Sequence, residues 1–143
     1  MKKFLVILLV IVSAPAMAAD SLDVKVVEKF SVNFPKAENV KWYDNNGKME
    51  VYYNSGDITC HIWYDAKGNV VKSLRYYTEK DLAPFVKARI QKAYPGKKIV
   101  GITETTKQDS FSYVISLEDE TTWTIVKSDA TGADLNVYNE MVK

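Results

Sequence analysis

The chain has 143 residues, 47% of them hydrophobic and 26% charged, with a formal charge of +1. That length suits one compact domain or two small fused units, with enough buried surface to fold without staples. A near-neutral balance with no charge run argues against nucleic acid as a partner, and the lone Cys60 excludes an internal disulfide.

The first residues carry an export pattern. Lys2 and Lys3 precede an unbroken apolar run from Phe4 to Val12, and Ala16-Met17-Ala18 offers the small residues a signal peptidase reads. Residues 1–18 are therefore expected to be a signal peptide, cleaved between Ala18 and Ala19. The apolar run is shorter than the roughly 20 residues that a bilayer span needs. No stop-transfer cluster follows it, and no cysteine stands at the cleavage point to be acylated. The expected location is periplasmic or secreted, with no stable membrane span after cleavage. Removing Lys2 and Lys3 from the 19 basic residues leaves 17 against 18 acidic ones.

Within residues 19–143, Leu22, Val26, Val27, Phe30 and Phe34 recur at helical spacing, and Pro35 ends the helix. Strand patterns follow at Asn39–Tyr43, Lys48–Tyr53, Asp57–Tyr64 and Asn69–Tyr76. They are separated by Asn45-Asn46-Gly47, Asn54-Ser55-Gly56 and Ala66-Lys67-Gly68-Asn69. Asparagine and glycine accept the positive φ of tight hairpin turns, so these segments read as a meander. Thr78 is a plausible helix cap with Asp81 three residues on, and Pro84 fits a first helical turn. Val86, Ile90, Ala93 and Tyr94 form an apolar face that Pro95-Gly96 stops. Further strands are expected near Lys98–Thr106, Phe111–Leu117, Thr121–Lys127 and Ala133–Tyr138.

These two stretches align with each other. Pro35 matches Pro95, Val40 matches Val100, and Asp65-Ala66-Lys67-Gly68 matches Asp129-Ala130-Thr131-Gly132, at an offset drifting from 60 to 64. The expected fold class is α+β. It is a tandem repeat of helix plus four-stranded antiparallel meander (about 21–77 and 78–143), with the helices packed on one face of the sheet. Trp42 is expected on a buried face shared with Val40, with Val100 and Ile102 as its counterparts.

The helix, "NFP", "VKW", the "YDAKG" hairpin and a second helix ending in "AYPG" resemble the PepSY-like periplasmic proteins. These are similar to β-lactamase-inhibitor proteins. The resemblance covers nearly all of Ser21 to Tyr138 and implies export, a non-enzymatic binding role and inhibition or modulation of a secreted enzyme. Two departures stand against lactamase inhibition itself: secreted inhibitors of this kind carry disulfides, and no inhibitory loop aligns residue by residue.

Residues with reactive chemistry do not converge. Cys60 and His61 are neighbours on one strand and so point to opposite faces. His61 is the only histidine and one cysteine completes no metal set, so no catalytic, cofactor or metal site is expected. Asp44-Asn45-Asn46-Gly47 has the wrong spacing for a calcium loop and reads as a hairpin turn. Glu118, Asp119 and Glu120 read as a solvated connection.

Strand alternation separates Ile58, Cys60, Ile62 and Tyr64 from Thr59, His61 and Trp63, and Met49, Val51 and Tyr53 from Glu50 and Tyr52. The aliphatic set belongs under the helices. Tyr52, His61, Trp63 and Trp123 then lie on an uncovered face, Trp123 together with Ile125, and are the candidate binding residues. Exposed rings with polar neighbours mark binding surfaces, although such rings can also cover one another. The expected partner is a protein or peptide of the cell envelope. The alternative is a small apolar or glycan ligand, as in an envelope-stress protein.

Overall fold

The computed structural model describes residues 23–143. The signal-peptide reading of residues 1–18 and the helical position of Leu22 lie outside that range. The chain order is α1 (Val24–Asn33), β1 (Glu38–Asn45), β2 (Lys48–Ser55), β3 (Ile58–Tyr64) and β4 (Val70–Tyr77). A 3-10 turn at Glu79–Asp81 leads into α2 (Pro84–Ala93). Then come β5 (Lys98–Lys107), β6 (Ser110–Glu118), β7 (Thr122–Asp129) and β8 (Leu135–Val142).

All eight strands join in one antiparallel sheet, ordered β1 to β8 exactly as in the chain. This corrects the expected fold class. The tandem repeat of helix plus four-stranded meander treats each block as a unit, but β4 pairs with β5 from Ser73↔Thr106 to Tyr77↔Ile102 and the sheet runs through the supposed boundary. The two helices have 10 residues each, so the molecule is mainly sheet rather than α+β.

The helices form where the sequence permits. Asp23 caps α1, its carboxylate accepting the Lys25 N–H at 2.9 Å, and Phe34 closes it by donating its N–H to the Phe30 carbonyl at 2.8 Å. Pro84 opens α2 at the position where a missing N–H costs nothing. Thr78 precedes only the 3-10 turn and makes no side-chain cap bond, so it is not the cap of the main helix.

Hairpin turns follow the asparagines and glycines. Asn46 and Gly47 have φ of 55° and 75°, the left-handed pair that a two-residue turn between right-twisted strands requires. The Asp44 carboxylate accepts the Gly47 N–H at 2.8 Å, so this stretch is a turn.

Both helices lie on the same face of the sheet. Val26 and Phe30 of α1 pack on Met49, Val51, Tyr53, Cys60, Ile62 and Tyr64. Val86 and Ile90 of α2 pack on Ile99, Ile102, Ile115, Leu117 and Val126. Ile58 touches both clusters. Between them runs a polar seam: Glu104 accepts the Tyr77 hydroxyl at 2.7 Å and the Arg75 guanidinium at 3.0 and 3.2 Å. Burial and the adjoining Glu104 carboxylate push the Tyr77 phenol far above its ordinary value, so it stays a donor.

Four register slips interrupt the ladders, two of them at Trp63/Tyr64 and Ile125/Val126, and the other two bear on the faces read from the sequence. Those two lie between Glu38 and Lys41, where Asn39 has φ 53°, and between Ile99 and Gly101. A bulge puts one extra residue into a strand and reverses the alternation beyond it. Trp42 still faces the core, opposite Val51 and edge-on to Phe30 at 5.3 Å, but Val40 is exposed and does not share its face. Val100 likewise lines the outer surface, while Ile99 and Ile102 point inward.

Candidate binding face of the sheet

Register places Glu50, Tyr52, His61, Trp63, Lys72 and Leu74 on the face opposite the helices, because their strand neighbours fill the core. Tyr52 and His61 are direct cross-strand partners, as are Glu50 and Trp63. Their rings form a continuous ladder. Tyr43 meets Tyr52 edge-on at 5.6 Å, Tyr52 stacks on His61 at 3.6 Å, and His61 lies 3.4 Å from Trp63. The Lys72 ammonium caps the outer end, 4.6 Å from the Trp63 ring.

This packing gives the histidine an unexpected environment. His61 is only 3% exposed although it faces away from the core, because Tyr52 and Trp63 enclose its two sides. Its Nε2 is 3.1 Å from the Glu50 carboxylate. Burial holds its pKa below the ordinary value, opposed by Glu50 and aided by Lys72, so the ring is neutral at pH 7. A neutral ring facing a carboxylate must carry its proton on Nε2, which then donates to Glu50. Tyr52 remains 38% exposed, and its phenol is raised by burial and by Glu50, which keeps it a neutral donor.

Trp123 is on the same face but not in the same cluster. It pairs with Glu118 and Met141 on β7, four strands from Trp63 and near the opposite end of the strands. Strand spacing and rise put the two indoles roughly 30 Å apart. The band between them, through Leu74, Tyr76, Thr103, Thr105, Val114 and Ser116, is uncharged. The structure therefore brings Tyr52, His61 and Trp63 together and leaves Trp123 in a separate hollow. Tyr43 belongs to the ladder and was missed; its 85° contact with Tyr52 depends on the β1–β2 register, which alternation within one strand does not show.

On the other face, Cys60 sits in the core cluster at 3% exposure, and burial pushes its thiol upward. It cannot reach His61 across the sheet. The Glu118–Glu120 connection is not merely solvated. Asp119 accepts from Lys97 at 2.7 Å and from the Thr121 and Thr122 N–H groups at 2.9 and 2.7 Å, which holds its carboxyl far below the usual range. Among the described residues, no three or more potential metal ligands cluster, and no helix is long and apolar enough to cross a membrane.

No family model matches the chain, and no curated protein does. Solved structures share its fold. A DUF2874 family protein from Bacteroides ovatus superposes with a TM-score of 0.61 at 17% identity, over 86% of this chain and 89% of that one. A BLIP-like protein from Bacteroides fragilis gives 0.59 at 14% identity, over 82% and 83%. A protein from Bacteroides eggerthii, described as a candidate periplasmic protein, gives 0.60 at 10% identity, over 85% and 89%. At these identities the likeness shows the fold alone, a mainly-sheet fold that this chain shares with the DUF2874 and BLIP-like structures.

Proposed function

We propose that this chain is an exported, non-enzymatic binding protein that holds a protein or peptide partner of the cell envelope on the sheet face away from its helices. The observation that carries the reading is the ring ladder of Tyr43, Tyr52, His61 and Trp63, assembled where neither helix covers it. Aromatic groups fixed by stacking present large contact area at small entropic cost, and such residues dominate binding energies. The uncharged band beside the ladder extends the surface without adding desolvation cost. The BLIP-like name of one fold neighbour and the periplasmic description of another support an inhibitor or modulator working outside the cytoplasm. Membership of the PepSY-like group, the signal peptide ending at Ala18 and a periplasmic or secreted location are the finer readings that the sequence motifs support. Separation of Cys60 and His61 onto opposite faces means that these two cannot act together as nucleophile and base.

The test is capture of the partner from an envelope extract followed by affinity measurement. Trp63→Ala should weaken binding by roughly 2 kcal/mol or more while the protein stays folded. Unchanged affinity in the folded variant refutes the ladder as the binding centre.

A further inference from the structure

The charges of the molecule are sorted by face. Beyond Lys2, Lys3 and Asp20 the chain balances at 17 basic and 17 acidic residues. Directly opposed residues of a ladder share a face, so the register also assigns the charged positions. Lys41, Lys48, Lys72, Lys98, Lys107 and Lys127 lie with the rings on the outer face. The Lys143 ammonium joins them, 4.8 Å from the Trp123 ring centre. Four carboxylates share that face: Glu38, Glu50, Glu118 and Asp129. Seven cations against four anions leave it net positive by three, and the rest of residues 23–143 net negative by the same amount.

Most of those carboxylates are already engaged. Glu118 accepts from Lys143 at 3.1 Å, and Glu50 lies 3.1 Å from Nε2 of His61. Asp129 accepts the backbone N–H groups of Thr131 and Ala133 at 3.2 and 3.0 Å. Among the described residues, none of the six strand lysines forms an ion pair. Two of them are held in place by rings, the Lys72 ammonium 4.6 Å from Trp63 and the Lys127 ammonium 3.9 Å from Tyr138. A ring face orients an ammonium without cancelling its charge. One step beyond Ser73↔Thr106, the β4–β5 register sets Lys72 beside Lys107. Like charges directly opposed weaken a sheet, and Asp109 in the following turn pairs with neither. A carboxylate from outside would relieve that repulsion.

The lysines are not strung in a row, as a phosphate backbone would need. They border the uncharged band through Leu74, Tyr76 and Val114: Lys41 and Lys48 on β1 and β2, Lys127 on β7, the others at its two ends. An apolar centre within a polar rim is the anatomy of a protein interface. We propose that the partner held on this face is an acidic protein segment, its carboxylates meeting the lysines while its apolar side chains cover the band. The proposal rests on the reading that the outer face is the binding face, and adds the charge of the partner.

Blocked synthetic peptides test it on the free protein. The probe is a heptapeptide that alternates glutamate with leucine and tyrosine; its counterpart has lysine for every glutamate. Both are titrated against the 15N-labelled chain, with inorganic polyphosphate as an anion that lacks apolar groups. The Trp63 indole N–H and the Leu74 and Val114 amides are followed. At about 20 mM salt the acidic peptide should bind roughly tenfold tighter than the basic one, and the gap should close by about 300 mM. Lys72→Glu together with Lys107→Glu should abolish the preference, whereas Lys72→Arg with Lys107→Arg should keep it. Equal affinity for the two peptides, no saturable shift, or a polyphosphate response as strong as that of the acidic peptide overturns the proposal. Equal affinity with shifts still on the outer face leaves the proposed function standing. Shifts confined to the helices, at Val24 and Phe85, overturn both.

Discussion

The two ends of the sheet carry a helix on the same face but fill the space beneath it with different chemistry. Under α1 the core is made of rings: Phe30 lies 5.1 Å from Phe34, 5.1 Å from Tyr53 and 5.3 Å from Trp42. Under α2 the centre is aliphatic, with Val86, Ile115, Leu117 and Val126 at 0% exposure, and rings such as Tyr77 and Tyr113 are confined to its margin beside the polar seam. Rings pack edge to face and need orientation, whereas branched aliphatic groups close by shape alone. The outer surfaces differ in the opposite sense: above the aromatic core lies a filled ladder, and above the aliphatic core an open hollow. One sheet thus supports a surface that covers its own polar group and another that stays open.

The largest expected effect tests the aromatic core. Phe30→Ala should destabilise by roughly 3–5 kcal/mol in urea unfolding, because one ring holds three others. Ile90→Ala should cost roughly 2–4 kcal/mol by the same measure. A larger loss at Ile90 than at Phe30 would show that the rings contribute area but no geometry.

Next come the turns on which the helices rest. Gly68 and Gly132 have φ of 76° and 73°; an added Cβ would approach the Val26 methyl to 2.8 Å and the Val86 Cα to 3.3 Å. A valine methyl can yield, but a helix backbone cannot. Gly132→Ala should therefore cost about 1–3 kcal/mol, and no less than Gly68→Ala, in thermal or urea unfolding. Equal tolerance of both changes would place the strain elsewhere.

Smaller is the stability effect at the ladder. Trp63→Ala removes a half-covered ring whose main neighbour is His61, so about 0.5–1.5 kcal/mol should be lost. A loss near that of Phe30→Ala would make the ladder a third core.

The smallest effect depends on pH. His61 has its folded pKa held below the unfolded value, so its contribution to stability is complete above about pH 6.5. It is lost as pH falls through the folded pKa, because the unfolded chain takes up the proton first. Stability of the natural protein minus that of His61→Gln should fall between pH 7.5 and pH 5. A flat difference would mean that Glu50 compensates fully for burial.

Much of this was legible in the sequence. Asn46-Gly47, Gly56, Gly68 and Gly132 marked turns because only such residues accept the required φ. Alternation along β3 correctly sorted Cys60 from His61. The bulges beside Val40 and Val100 were not legible, since valine at those positions suits a regular strand equally well. The extra residue is set by sheet twist and neighbouring strands. The β4–β5 pairing was hidden because α2 stands between the two strands in the chain, which made a sheet continuing across it look like two units. His61 showed its face but not its burial, which comes from the rings of Tyr52 and Trp63 closing over it.

The strictly sequential strand order has a consequence for how the chain reaches its native state. Each strand finds its partner in the one before it, without a crossover, so most pairing is closed by short loops of low entropic cost. The cluster under α1 draws only on residues up to Tyr64. Emerging N-terminus first, the chain can settle that part before the residues of β5 to β8 have appeared. The later strands then add one at a time to a waiting edge.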